Sequence, residues 1–210
     1  MKPGSPPSRR PSRRAFTLVE LLTVMAIMAI IISVSIPIFL QVTQASLLTT
    51  TSNQVNDQLS FARQEALSLN QQVEVRFYSL PSVGNTSVNI YRGLQSFGVN
   101  LTTTPGSTNA LSRPVIFPAQ VQIASSPTLS TLFATRSDTS TGSVSLPGIG
   151  TGSYSYTAFR FRSDGSTTLT APLCITLHLV NNPPVGATLP NNWATLQVDP
   201  LTGRVQTYRP

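Results

Sequence analysis

The chain has 210 residues with one cysteine and one histidine, and its 14 basic residues outnumber its 7 acidic residues. A single cysteine excludes an internal disulfide, and one Cys with one His is too few for a zinc site built from these residue types. Five of the basic residues lie within the first 14 positions, so the rest of the chain is nearly balanced, and its charge does not predict a nucleic-acid partner.

The chain begins with a basic leader, residues 1–15, followed by an apolar run, residues 16–40, in which Glu20 is the only charged residue. A helix of about 20 apolar residues crosses a hydrocarbon core of roughly 30 Å, so the run predicts a membrane span. The basic leader predicts that residues 1–15 stay in the cytoplasm and that the C-terminal part lies outside it. A carboxylate at the bilayer centre costs about 2.5–3.5 kcal/mol, which indicates that Glu20 has a function.

Residues around this junction resemble the N-terminal signal of type IV pilins and pseudopilins. Phe16 follows a basic leader and a small residue, Glu20 lies four positions later, and Pro37 lies within the apolar run. The resemblance implies that a prepilin peptidase cleaves between Ala15 and Phe16, and that Phe16 becomes N-methylated. It also implies that Glu20 serves assembly and that Pro37 kinks the helix. Most members of the family have Gly where this chain has Ala15, so the rate of cleavage stays open.

The resemblance also implies the partners and the location of the protein. The partners are the prepilin peptidase, other pilin-like subunits and an assembly platform in the inner membrane. The protein would first be a single-pass protein of the cytoplasmic membrane and then part of a filament. After cleavage, the new ammonium of Phe16 and the Glu20 carboxylate of a neighbouring subunit can pair in a medium of low dielectric. A second interpretation stays open, because Thr17 and Glu20 have the spacing of a capping box that begins a helix.

The next segment, residues 41–72, has apolar residues at gaps of three, four and seven positions, which predicts an amphipathic continuation of the same helix. We expect this stripe to cover a sheet and the helix to extend from Phe16 to about Asn70. The members of the stripe are Leu48, Val55, Leu59, Ala62, Ala66, Leu69 and Val73.

The remainder, residues 73–210, has short alternating segments separated by clusters of Ser, Thr, Gly, Pro and Asn, which predicts strands and turns. The predicted strands are 73–77, 87–90, 114–117, 120–123, 143–146, 158–161, 175–180, 194–198 and 204–208. Long loops are expected between Leu101 and Gly152. A helix followed by strands predicts an α+β fold, and the resemblance implies the pilin-like arrangement, with the long helix packed on an antiparallel β-rich head.

Three short segments of the head are similar to H-type minor pseudopilins and related minor pilins. They are residues 59–73 with an Ala-Arg-Gln-Glu-Ala run, residues 161–166, and residues 198–205 with a Thr-Gly-Arg turn. The pairs Asp164-Gly165 and Thr202-Gly203 predict turns in which glycine takes a positive φ. The resemblance implies a structural, minor subunit of a type II secretion pseudopilus or a type IV pilus-like filament.

The sequence contains no catalytic or cofactor-binding pattern. His178 alternates with apolar residues in a predicted strand, and neither a Gly-x-Ser-x-Gly pattern nor a phosphate loop occurs. We therefore expect no enzyme activity, no cofactor and no metal site.

Two alternative functions stay open. The first is a minor pilin that binds DNA through Arg204 and Arg209, which form only part of the basic cluster of such relatives; so few arginines would bind phosphate weakly. The second is a single-span anchored protein whose β domain binds a ligand or acts as an enzyme.

Overall fold

The computed structural model describes residues 16–100, 107–134, 140–147 and 149–210, and of residues 34–41, 85–86, 100, 107, 140 and 143 it describes the backbone alone. The predicted leader, including Ala15, lies outside the described residues. The chain divides into two compact units, residues 1–42 and residues 43–210. Helix α1 (Leu18–Ser68) contributes residues to both units.

Both ends of α1 have a local cause. The hydroxyl of Thr17 accepts a hydrogen bond from the amide of Glu20 (3.2 Å), which satisfies one free donor of the first turn. At the other end, Asn70 has a φ of 48°, and the amide of Gln71 donates to the carbonyl of Ala66 at 3.3 Å. This is a Schellman-type stop, in which the left-handed residue turns the chain away from the helix axis. It ends the helix at Ser68, slightly before the predicted end.

In the first unit the helix is apolar on every side and exposed. All side chains of residues 16–33 are exposed. The large apolar ones are Phe16, Leu18, Val19, Leu21, Leu22, Val24, Met25, Ile27, Met28, Ile30, Ile31 and Ile32. Within the described part of the chain, no helix meets the length and hydropathy that crossing a membrane requires.

The second unit combines the helical residues from Thr43 onward with one antiparallel sheet. Its strands are β1 (Gln72–Ser82), β2 (Asn85–Asn100), β3 (Ser107–Ala110), β4 (Val115–Ile116), β5 (Val121–Ile123), β6 (Ser140–Leu146), β7 (Gly150–Phe161), β8 (Leu173–Leu179), β9 (Trp193–Val198) and β10 (Val205–Tyr208). Their order across the sheet is β10-β9-β8-β5-β2-β1-β7-β6, and β3 and β4 pair with β2. The predicted α+β architecture is confirmed.

The helix packs on the sheet through the predicted stripe. Val55, Leu59, Ala62 and Ala66 are completely buried and belong to one core cluster with residues of β1, β7, β8 and β9. The two alanines let the backbones of helix and sheet come close, because they carry only a methyl group. Leu69 was predicted in the stripe, but it is 49% exposed, since the helix has already ended at Ser68.

The strand predictions were correct in position but incomplete. Every predicted strand overlaps an observed one, whereas β3 was not predicted and β2 extends to Asn100. Residues 91–99 of β2 do not alternate in sequence because both faces of the strand are covered, and buried polar residues such as Gln95 and Ser96 lie among the apolar ones. The expected long loops of residues 101–152 in fact include β3 and the strand pair β6–β7.

Replacing Leu59 with Ala should lower the free energy of unfolding of the full chain by about 2–5 kcal/mol, because the residue is completely buried and the cavity cannot fill without moving helix or sheet. Urea denaturation in detergent micelles, followed by tryptophan fluorescence, measures this loss. The matched control is Gln64→Ala on the exposed side of the same helix. Equal midpoints for the two variants would contradict the packing.

Candidate functional site

The predicted functional site is the part of helix α1 that lies in the first unit. Phe16 precedes the first helical turn and is 77% exposed, so the residue predicted to become the new N-terminus is accessible. Its predicted cleavage partner, Ala15, lies outside the described residues. Pro37 falls within the span of α1, and its side chain also lies outside them.

Among the described side chains of residues 16–33, the Glu20 carboxylate is the one polar group without a hydrogen-bond partner in its own helix. Residues 16–33 contain three hydroxyl groups: that of Thr17 caps the helix, and those of Thr23 and Ser33 donate to the carbonyls of Glu20 and Ile30 at 2.9 and 2.8 Å. Within the described residues, no donor contacts the Glu20 carboxylate. A hydroxyl that donates to the preceding turn adds little desolvation free energy in an apolar environment, whereas a carboxylate without a donor keeps its full desolvation cost.

The capping interpretation of Glu20 is therefore only half realised. In a complete capping box, the Glu side chain would accept a hydrogen bond from the backbone amide of Thr17. The described contacts contain the Thr17 half, and the carboxylate contributes through its position in the first turn, where a negative charge favours the helix dipole. The carboxylate oxygens remain available to a partner outside the chain.

The two arginines considered for DNA binding do not form a cluster. Arg204 precedes β10 and Arg209 follows it, so the four residues of the strand lie between them, and five steps of about 3.3 Å separate their Cα atoms by roughly 16 Å. Arg209 donates to the hydroxyl of Thr49 at 2.7 Å and to its carbonyl at 3.4 Å, so its guanidinium fixes the end of the chain to α1. Only Arg204 of the pair stays exposed without such a contact among the described residues.

Two turns that carry the head resemblance dock on the end of α1. Gly165 and Gly203 have φ values of 80° and 64°, as the sequence predicts. A Cβ on Gly203 would overlap the carbonyl oxygen of Gly165, so the two turns are in direct contact. Arg63 of the helix donates from Nε to the carbonyl of Thr202 at 2.8 Å. The Thr-Gly-Arg turn is thus a structural element that fixes the last hairpin to the helix.

The acidic residues of these turns are occupied by the turns themselves. Asp199 accepts from the amides of Leu201 and Thr202, both at 2.8 Å, and Asp164 accepts from the amide and hydroxyl of Ser166. These hydrogen bonds lower the pKa of both carboxyl groups. Among the described residues, no group of three or more His, Cys, Asp or Glu side chains lies close enough together to hold a metal ion.

A buried ion triad that the sequence did not predict lies on the face of the sheet opposite the helix. Glu74 of β1 accepts from Arg76 at 2.6 Å and from Arg160 of β7 at 2.8 Å, and its side chain is only 6% exposed. Arg160 lies directly across from Glu74 in the β1–β7 register. The sequence indicates only part of the triad, because the alternation of residues 73–77 places Glu74 and Arg76 on one face of a strand. Arg160 is too distant in sequence to be predicted as a partner of Glu74.

Aromatic rings hold Arg76 in this triad. Its guanidinium carbon lies 4.1 Å from the centre of the Phe97 ring and 4.5 Å from that of Tyr156, so the cation is enclosed between two π faces. Arg76 also donates to the hydroxyl of Thr108 on β3 at 3.0 Å. The triad therefore ties four strands together, and its role is structural.

Burial raises the pKa of the Glu74 carboxyl, but the hydrogen bonds and charges of Arg76 and Arg160 outweigh burial, and the net pKa lies below the ordinary value of 4.5. The same surroundings raise the pKa of Tyr78 to about 12, chiefly through burial. Because the pKa of Glu74 is lower in the folded protein than in the unfolded chain, ionisation of Glu74 stabilises the folded state.

Comparison with known proteins points to the N-terminal segment. A family model described as the prokaryotic N-terminal methylation motif matches residues 10–36, which include Phe16 and Glu20. Among solved structures, the chain is similar to the type IV minor pilin FimU of Pseudomonas aeruginosa, with 14% identity and a TM-score of 0.45 over 78% of this chain and 92% of that one. It is also similar to the minor pseudopilin EpsH of the Vibrio cholerae type II secretion system, with 9% identity and a TM-score of 0.43 over 79% and 97%. A search of curated proteins finds no match.

Replacing Glu74 with Gln should lower the free energy of unfolding by about 3–5 kcal/mol at neutral pH, because two arginines lose their buried counter-ion. In the wild-type chain the contribution of Glu74 is complete above its unfolded pKa of about 4.5 and is lost as the pH falls through the lower folded pKa. Denaturation midpoints measured between pH 7 and pH 3 should therefore fall less steeply for the variant. The control Glu65→Gln, on the helix surface, should keep the wild-type slope; a wild-type slope for Glu74→Gln would refute the linkage.

Proposed function

We propose that the chain is a structural, minor subunit of a type II secretion pseudopilus or a type IV pilus-like filament and has no catalytic activity of its own. The observation that carries this proposal is the methylation motif at residues 10–36, which overlaps the exposed apolar residues 16–33, where Glu20 is the one carboxylate. In this role a prepilin peptidase cleaves after Ala15, Phe16 is N-methylated, and the helix then supplies the contacts with other pilin-like subunits.

Before assembly, residues 16–40 anchor the protein in the cytoplasmic membrane, with the leader in the cytoplasm and the head outside. The sequence supports this arrangement, since Glu20 is the only charge in the run and all leader charges are positive. The hydroxyls of Thr23 and Ser33 support it too, because they bond to helix carbonyls and leave few polar groups for lipid to satisfy.

Assembly then exchanges lipid for neighbouring helices. Cleavage after Ala15 creates an ammonium group on Phe16 only four residues before Glu20, so each subunit carries one cation and one anion close together at the start of its helix. A neighbouring subunit shifted along the helix axis can place its ammonium beside this carboxylate. In a dry interface such a pair offsets the desolvation of both groups and sets the axial register between subunits. An inner-membrane assembly platform would drive the transfer from the membrane into the filament.

The head supports the helix in this role. Arg63 of α1 donates to the carbonyl of Thr202 in the turn before β10, and Arg209, after β10, donates to the hydroxyl of Thr49 of α1. These two hydrogen bonds join the C-terminal hairpin region to both ends of the packed helix segment. The buried apolar stripe of α1 provides the remaining contact between the helix and the sheet. A force on the helix is therefore passed to the whole head. The DNA-binding alternative gains no support from this geometry, because Arg209 is already engaged.

Replacing Glu20 with Ala should leave membrane insertion and cleavage intact but reduce incorporation into filaments about tenfold or more, because the ammonium of the next subunit loses its counter-ion. Immunoblots of sheared filament and membrane fractions measure the distribution. The matched control is Glu65→Ala, which removes a carboxylate from the part of α1 that lies in the head. Normal incorporation of the Glu20 variant would refute the assembly role.

Mass spectrometry of the protein recovered from its filament or membrane fraction should find N-methyl-Phe16 as the first residue. The reason is that the motif at residues 10–36 contains a small residue, Phe16 and Glu20 at the spacing of the signal. Deleting the prepilin peptidase should restore the leader and is the control for the assignment. A mature chain that begins at Met1 or elsewhere, in cells with active peptidase, would instead favour an anchored protein of another class.

A further inference from the structure

The sheet opens where β5 meets β2. The two strands share a single residue pair, Tyr91 and Ile123. Continuing the antiparallel register would place Ala124 opposite Ile90, but among the described residues no pair beyond Tyr91–Ile123 forms with β2. The segment keeps its contact with β8, where the amide of Ala124 donates to the carbonyl of Thr176 at 2.8 Å. The segment 124–126 therefore leaves β2, and the edge of β2 at residues 88–90 has β1 on one side and no strand from the described residues on the other.

The opening contains a cavity of about 490 Å³, a volume typical of ligand sites. We call it the fork cavity, and the edge of β2 at residues 88–90 and the segment 124–126 form its two sides. The other residues that shape it are Gln122, His178, Pro183, Pro184 and Gly186. Val88 lines the cavity and is 48% exposed, so its side chain is accessible to an occupant.

The walls of the fork cavity are fixed by their own hydrogen bonds. The carbonyl of Ser126 accepts from the amides of Leu129 and Ser130 at 3.1 and 2.9 Å, which holds the segment 124–126 away from β2. On the far wall, Val185 and Thr188 bond to each other through both amides. An occupant would therefore enter a preformed site, and little conformational entropy would be lost by the walls.

The lining of the fork cavity is uncharged. None of the described residues that line it is Asp, Glu, Lys or Arg. His178 is 2% exposed and its Nδ1 donates to the carbonyl of Leu179 at 2.9 Å, so Nε2 is left to accept from the Gln122 amide at 3.4 Å. Burial lowers the pKa of His178 and keeps the ring neutral. A charged occupant would lose its hydration here without gaining a counter-ion.

We propose that the fork cavity binds a short, extended and uncharged segment of another polypeptide, which adds as a strand to the edge of β2 at residues 88–90. The strand edge identifies this occupant, because its amides and carbonyls are matched by another extended backbone. Three residues of edge accept a segment of about three to five residues at 3.3 Å per residue. Val88 and the two prolines favour small or β-branched side chains on that segment. This inference does not depend on the proposed filament role.

The test uses the isotope-labelled full chain in detergent micelles and the capped peptide acetyl-Val-Ser-Val-Ser-Val-amide. The peptide should cause saturable shifts of the backbone amide signals of residues 88–90 and 124–126. The variant Val88→Asp, which places a carboxylate in the uncharged cavity, should weaken binding by about tenfold or more. The matched control is Val83→Asp, since Val83 is another exposed valine of the same hairpin, 63% against 48% for Val88, and it does not line the cavity.

Two further peptides separate the strand from other occupants. The same peptide with an N-methyl group on every residue has lost the backbone donors of both edges and should not bind, and a peptide with Asp in place of Ser should bind at least about tenfold more weakly. Absence of saturable shifts with the first peptide would overturn the proposal. Equal binding of the N-methylated peptide would also overturn it, because the cavity would then be a side-chain pocket for small apolar molecules. Self-association that Val88→Asp abolishes, without peptide binding, would assign the cavity to a second copy and overturn it as well.

Discussion

The two parts of the single helix α1 are suited to two different environments. Residues 43–68 of α1 are apolar along one stripe, and the chain's own sheet buries that stripe completely at Val55, Leu59 and Ala62. Residues 16–33 are apolar on every side and exposed on every side. Burial of apolar surface contributes about 25 cal/mol per Å², so the first half gains this free energy only from something outside the chain. The two halves divide the molecule into a part that folds by itself and a part that needs other molecules.

Two carboxylates show the same division. Glu74 is buried in the head and receives two arginines from its own sheet, which lowers the pKa of Glu74 despite its burial. Glu20 lies in an apolar segment with no such donor among the described residues. A carboxylate that the fold pairs internally is a structural group, whereas one that it leaves open is suited to a partner. This contrast is the physical basis for the proposal that Glu20 serves assembly, whereas Glu74 contributes to the stability of the head.

The head combines rigid attachment with one local opening. Arg63 of α1 contacts Thr202 and Arg209 contacts Thr49 of α1, which joins the last hairpin to the packed part of the helix, and the close contact of Gly165 with Gly203 joins the two turns. The fork cavity is the exception, because β5 keeps its contact with β8 but not with β2 beyond Ile123.

The sequence by itself determined the elements whose signal is local. The stripe from Leu48 to Ala66 follows helical periodicity, the turns at Gly165 and Gly203 follow from the need for a positive φ, and the signal around Phe16 and Glu20 is a contiguous pattern. Tertiary structure alone decided the pairings between distant segments. Glu74 meets Arg160 only because β1 and β7 are neighbours in the sheet. β2 extends beyond its alternating part because both its faces are covered, and the fork forms because β5 ends at Ile123 after a single residue pair with β2. Local periodicity records which face of an element is buried, but it carries no information on which distant strand supplies the partner.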